Sequence, residues 1–225
     1  MSATTNTPGI PRAWPMIRAM VGVGLFCAIS IVGVFQLTRP IIASNRAEAL
    51  ERALFEVLPD ARSTRTFLLV ENERFEPGDP RAGGEVVHAG YDASNTLVGL
   101  ALEARGMGYQ DVIHVLYGYA PLEEAIVGIR VLESRETPGL GDRIERDADF
   151  LRNFEHLDVS LAADGTRIAH PIEAVKHGEK IHGWQIDGIT GATISSQAIA
   201  DMLRESTEHR MPLLHRRLDD FRRPE

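Results

Sequence analysis

Between Arg18 and Arg39 the chain holds twenty consecutive uncharged residues, AMVGVGLFCAISIVGVFQLT. As a helix this run spans roughly 30 Å, the thickness of a bilayer's hydrocarbon core. A cleavable signal peptide has a shorter apolar region of about 7–15 residues that ends at a small-x-small site. Here the run continues into Thr38-Arg39-Pro40-Ile41-Ile42, which offers no such site. The sequence therefore predicts a retained transmembrane helix over 16–38, behind a flexible tail over 1–15. Arg12 and Arg18 flank one side and Arg39, Arg46 and Arg52 the other, so the basic residues assign no orientation.

Beyond the apolar run the chain changes character. All 32 acidic residues of the 225-residue chain lie after residue 38, together with 22 of the bases, a balance of −10. An acidic domain of this kind is a poor partner for a nucleic acid backbone. The single cysteine, Cys27, lies inside the apolar run. That excludes an internal disulfide framework, a cysteine-rich zinc site and a thiolate-held iron–sulfur cluster.

After Pro40, apolar residues at Ala47, Leu50, Leu54 and Val57/Leu58 have helical spacing and predict a juxtamembrane helix within 39–60. Short β-like runs come next at Thr66–Val70, Glu85–Tyr91, Thr96–Glu103, Val112–Tyr119 and Ala125–Glu133. Asp92-Ala-Ser-Asn95 has the composition of a hairpin turn, and 76–84 that of a loop. Helices are expected over Asp147–His156 and Ile194–Arg210, the latter with Ile194, Ala198, Ile199, Met202 and Leu203 on one side and Pro212 as its stop. The pattern predicts an α+β domain over 61–212, a largely antiparallel sheet with packed helices, followed by a C-terminal tail over 213–225.

The usual catalytic signatures are missing. There is no HExxH pair, GxSxG elbow or lysine-bearing phosphate loop, and no two carboxylates are paired for acid–base work. His177 and His182 flank a polar loop and read as surface residues rather than metal ligands. Neither a catalytic side chain nor a metal site is expected.

Two loops stand out. In Glu136-Thr-Pro-Gly-Leu-Gly-Asp142, Leu140 sits between two glycines, where an apolar side chain loses its burial energy unless it covers something. In Asp187-Gly-Ile-Thr-Gly-Ala-Thr-Ile-Ser-Ser196, small residues and hydroxyls run into a helix start. Thr193 can serve there as an ordinary N-cap. The same helix start can also be an anion site, where unpaired N–H groups and the helix dipole favour a phosphate.

Together these loops resemble the FMN-binding domain of the Rnf electron-transport complex G subunit and of its relative, the C subunit of the sodium-pumping NADH:quinone reductase. The similarity covers most of the chain: an N-terminal membrane helix, GYAPLEEAIVGIRVLESRETPGLGDRI over Gly118–Ile144, and DGITGATISS over Asp187–Ser196. The family motif D-x-x-[S/T]-G-A-T is matched by Asp187, Thr190, Gly191, Ala192 and Thr193. Asp142 after Gly-Leu-Gly is more like the Rnf subunit than its sodium-pump relative, and Ala120–Glu124 departs from the glycine-rich Rnf pattern.

The resemblance implies FMN joined to Thr193 through a phosphodiester by a separate flavin transferase that uses FAD and recognises Asp187. It also implies that Glu136, Thr137, Leu140 and Gly141 line the flavin ring, and that Thr190, Gly191 and Ala192 belong to the cofactor site. The expected function is a flavoprotein subunit, partnered by other membrane subunits of an Rnf-type complex and relaying electrons in the bacterial inner membrane, its soluble domain on the periplasmic side. A structural subunit without a redox role and a stand-alone covalent-flavin reductase or regulator are the competing expectations.

Overall fold

The computed structural model describes residues 13–80 and 83–222. The expected N-terminal tail lies outside the described residues up to residue 12, and helix α1 (Ala13–Val57) begins at residue 13. By its contacts the chain divides into two units, Met1–Glu48 and Ala49–Glu225.

In the first unit α1 carries its large apolar side chains on the outside. Met20, Val21, Phe26, Ile31 and Leu37 are all more than half exposed. An apolar surface on every side of a helix has no place in water and matches a lipid environment. Among the described residues, α1 is the one helix long and apolar enough to cross a membrane. It passes through Pro40 without ending there, so the boundary expected at 38/39 falls inside one helix.

The second unit is built on a seven-stranded antiparallel sheet: β1 (Ser63–Val70), β2 (Arg74–Pro77), β3 (Val86–Tyr91), β4 (Leu97–Met107), β5 (Val112–Ala120), β6 (Ala125–Glu133) and β7 (Leu157–Asp158). Its order is β2-β1-β3-β4-β5-β6-β7. The hairpin turn between β3 and β4 forms where the sequence places it. The Asp92 carboxylate accepts hydrogen bonds from the Ser94 and Thr96 N–H groups at 2.7 and 2.9 Å, and Asn95 takes the left-handed conformation it tolerates better than most residues.

Alternation along the central strands gives each face its own core. Leu100, Leu102, Val115 and Tyr117 point to the side covered by α3 (Thr193–Arg216), against Ile199, Met202 and Leu203. Ala101 and Leu116 point to the other side, where Ala53, Leu54 and Val57 from the end of α1, and Leu58 just after it, cover them. That approach is close: a Cβ at Gly118 would run into the Val57 carbonyl oxygen. A short parallel pair, β8 (Glu173–Val175) with β9 (Gln185–Asp187), lies apart from the main sheet and leads into α3.

Two sequence expectations change at the edges. The Asp147–His156 helix is shorter: α2 (Ala148–Leu151) is capped by the Asp147 carboxylate, which accepts the Phe150 N–H at 3.2 Å, and it tightens into a 3-10 turn over Arg152–Phe154. There the Asn153 side chain donates to the Phe150 carbonyl at 2.9 Å, offering that carbonyl an alternative partner.

The C-terminal tail is the larger correction. Pro212 lies inside α3, which runs on to Arg216, and a further 3-10 turn over Leu218–Phe221 follows. Phe221 is fully buried, edge-on to Phe67 with ring centres 5.0 Å apart and tilted against Phe75 at 4.9 Å. Its carbonyl accepts the Tyr91 hydroxyl at 2.7 Å, and the Asp220 carboxylate accepts the Phe75 N–H at 3.0 Å. Truncating a fully buried phenylalanine costs about 3–5 kcal/mol. Phe221→Ala in the detergent-solubilised chain is therefore expected to lower the thermal unfolding midpoint by many degrees; a midpoint within a degree or two of wild type would show that the C-terminus is dispensable.

Candidate functional site

The two loops singled out in the sequence meet at the start of α3. They line a cavity of about 310 Å³ formed by Tyr109, Thr137, Leu140, Gly141, Gly191, Ala192, Thr193, Ile194 and Ser195. That volume is at the lower end of the roughly 300–1,000 Å³ of small-molecule sites.

The first wall comes from the loop after β6. Thr137-Pro138-Gly139-Leu140 forms a tight turn in which the Leu140 N–H donates to the Thr137 carbonyl at 3.1 Å. Proline in the second place and a positive φ of 77° at Gly139 give the geometry of a type II turn, which the glycine accommodates without strain. The Asp142 carboxylate accepts the Gly139 N–H at 2.7 Å and fixes the turn from below. As the sequence implied, Leu140 is left outside the core, 52% exposed at the cavity wall. Tyr109 at 67% and Ile194 at 55% join it. Three large apolar side chains around one small cavity form a surface suited to a flat apolar ligand rather than to water.

The second wall is the helix start. Thr193 is the first residue of α3 and not its cap; that position falls to Ala192, which has no side-chain acceptor. The ordinary reading of Thr193 as an N-cap is thereby corrected. The hydroxyls after it are committed elsewhere: Ser195 donates to Glu136, and Ser196 donates to the Ala192 carbonyl at 3.0 Å while accepting the Ile189 N–H at 3.1 Å. Thr193 is exposed, and its hydroxyl makes no hydrogen bond among the described residues. The helix therefore presents its first turn, with the positive end of its dipole, beside a free hydroxyl in an open cavity. That arrangement can take an anion such as a phosphate. Gly191, at φ 87°, turns the backbone into this position.

Not every expected residue lines this cavity. Glu136 is 5% exposed and stands behind the wall, where its carboxylate accepts the Tyr109 and Gln110 N–H groups at 3.2 and 2.9 Å. Burial works against its charged form, yet the Ser195 hydroxyl and these backbone N–H groups outweigh that and hold its carboxyl below the usual carboxylate range. Thr190 faces a neighbouring cavity of about 210 Å³, together with Arg143, Asp147, His177 and Asp187. Arg143 donates to the Thr190 carbonyl at 2.9 Å and pairs with Asp147, which ties the two loops together.

Asp187 lies in that second cavity, separated from Thr193 by the intervening loop. Its carboxylate accepts the Gly178 N–H at 2.7 Å and lies 3.4 Å from His177 Nδ1. Its backbone is held at both ends by the buried Asn153 side chain, which accepts the Asp187 N–H at 3.0 Å and donates to the Asp187 carbonyl at 3.1 Å. His182 stacks on the Trp184 ring system at 4.3 Å, and His170 also stacks on Trp184 at 4.0 Å. Tyr109, Ile194 and Asn153 had no part in the sequence-based site. The Gly108-Tyr109 pair at a strand end was the one available signal for Tyr109.

This chain is similar to known proteins over nearly its whole length. The FMN-binding domain profile matches residues 108–208, which contain both loops. The G subunit of the ion-translocating oxidoreductase complex of Escherichia coli O157:H7 is 34% identical over 211 residues, spanning 92% of this chain and 91% of that protein. Its counterpart of the same name from Methanosarcina acetivorans is 28% identical over 194 residues, covering 86% and 92%. Among solved structures, the C subunit of the Na(+)-translocating NADH-quinone reductase from Parabacteroides distasonis superposes with a TM-score of 0.60 at 19% identity, covering 76% of this chain and 94% of that one. Shewanella oneidensis NqrC gives 0.58 at 16%, covering 80% and 96%, so both share the fold. With its apolar helix, antiparallel sheet and paired loops, this chain belongs to the family of G subunits of the ion-translocating oxidoreductase complex.

Proposed function

We propose that this chain is the flavin-bearing subunit of an Rnf-type ion-translocating oxidoreductase complex, carrying FMN on Thr193 and relaying electrons between its partner subunits. One observation carries this function: the uncapped start of α3 sets the free hydroxyl of Thr193 in a cavity whose opposite wall is the exposed Leu140. FMN suits both halves of the site. Its phosphate fits the N–H groups and dipole of the helix start, and its ring fits the apolar side chains of Leu140, Tyr109 and Ile194. When bound, the flavin supplies the redox chemistry by accepting and releasing electrons.

The protein's own part begins with attachment. The Thr193 oxygen attacks the phosphorus of the FMN half of FAD, held by a separate flavin transferase. A new O–P bond forms, the pyrophosphate bond breaks, AMP leaves, and the threonine proton is lost to a base. The product keeps one negative charge, which the helix dipole stabilises. Asp187 faces a different cavity, so its role is assigned to recognition by the transferase and not to the reacting atoms. In this reading the apolar helix is a single-pass anchor, the membrane is the bacterial inner membrane, and the flavin domain stands on its periplasmic side. A covalent tether suits that location because it makes the subunit independent of free FMN.

Two substitutions test the assignment. Thr193→Val replaces the hydroxyl with a methyl at an exposed position, so stability should change by less than about 0.5 kcal/mol. Coexpressed with a flavin transferase, wild type should give a fluorescent band on a denaturing gel and the variant none; a fluorescent Thr193→Val band would refute the residue. Asp187→Ala removes an acceptor for one backbone N–H, at a cost of about 1 kcal/mol to the fold. Loss of a charged contact to the transferase should slow loading by roughly tenfold or more. Loading at the wild-type rate, followed by intact mass, would remove Asp187 from recognition.

A further inference from the structure

Glu136 is a buried carboxylate without a cation. Among the described residues, no Lys, Arg or His lies within ion-pair distance of it. Its partners are the Ser195 hydroxyl and the N–H groups of Tyr109 and Gln110. Burying a carboxylate unpaired is costly, and such groups persist where hydrogen bonds to the charged form hold them. Space has been made for it on both sides. A Cβ at Gly108 would lie 2.6 Å from Glu136 Oε1, and one at Gly141 would lie 2.5 Å from Oε2. Two glycines, one hydroxyl and two N–H groups thus converge on a single negative charge.

The place of that charge is specific. Three residues that crowd or bond it, Tyr109, Gly141 and Ser195, are themselves wall residues of the Thr193 cavity. Glu136 therefore stands one layer behind the wall, and it joins three chain segments: the turn between β4 and β5, the loop after β6, and the first turn of α3.

We propose that Glu136 is a positioning residue of the flavin site, which locks the cavity wall to the first turn of α3 and holds a fixed negative charge behind it that lowers the flavin's reduction potential. The assignment rests on the FMN site proposed above. Reduction adds electrons to the ring, and a nearby fixed negative charge in a poorly solvated setting opposes that addition. The chain would thereby favour passing electrons on over retaining them.

The test is a redox titration of the flavin-loaded full chain, followed by flavin absorbance, for wild type, Glu136→Gln and Ser195→Ala. Glu136→Gln removes the charge and keeps the shape and an acceptor oxygen. It is expected to favour reduction by about tenfold in the equilibrium constant, a positive shift of about 30 mV for a two-electron couple. Ser195→Ala removes one bond and keeps the charge, so its potential should lie at or below that of wild type. An unshifted Glu136→Gln overturns the inference, and so does a Ser195→Ala potential raised to the Gln level, because wall geometry would then be the cause. Where Glu136→Gln does not accumulate, Glu136→Met, which removes the charge at similar length, takes its place with the same expected positive shift, and an unshifted potential overturns the inference. A wild-type chain that takes up no flavin overturns this inference and the proposed function together; a loaded wild type with an unshifted Gln variant overturns only this inference.

Discussion

The contact between α3 and the sheet determines where the functional elements stand. Ile199, Leu203, Met211 and Leu214 are buried along its length, each contributing about 1.5–3 kcal/mol. A missing N-cap costs about 1 kcal/mol. The packing of the helix body exceeds that cost several times over, so the first turn can be left uncapped. With the body of α3 packed on the sheet, register brings the loop after β6 and the turn after β4 to the helix start, where the Glu136 and Arg143 hydrogen bonds fasten them. The Thr193 cavity follows from this packing, its walls supplied by the two loops and by Tyr109 of the turn after β4.

Much of this order is legible in the sequence, and the parts that are not have physical reasons. The central strands β3 to β6 show up because each is long enough to display alternation and is rich in Val, Ile, Leu and Tyr. Strands β2, β7, β8 and β9 have two to four residues each, too few for any period to show. Pro212 reads as a stop because proline removes a backbone N–H. In the fold, the carbonyl four residues back belongs to exposed Glu208, where water is available to it, and the buried Met211 and Leu214 on either side hold the helix together. The C-terminal residues look like a charged tail until Phe221 meets Phe67 and Phe75, a contact across more than 140 positions that no local pattern reveals.

The site divides in the same way. Leu140 between two glycines and Thr193 at a helix start are local oddities, visible in one dimension, and the fold brings both to one cavity. The role of Asn153 is not visible, because it depends on a backbone segment 34 residues away. Glu136 was visible as a motif residue but not as a support, since its partners Tyr109, Gln110 and Ser195 come from two other segments. Asp187 and Thr193 share one motif yet face different cavities, which separates the residue proposed to carry the flavin from the one proposed for transferase recognition.

The openness of the Thr193 cavity gives the proposed covalent bond its physical purpose. Leu140, Tyr109 and Ile194 are each more than half exposed, so they form an open rim rather than the enclosing wall of a tight non-covalent pocket. Deeper burial would hold the flavin better but would wall it off from the subunits that give and take its electrons. A phosphodiester to Thr193 separates these two demands. Once the phosphate is tied to the helix start, docking of the ring becomes an intramolecular event at an effective concentration of about millimolar, and weak contacts at an open rim suffice to orient it. Retention then resides in one bond and orientation in a few exposed apolar side chains, and the redox edge can remain accessible to partner subunits.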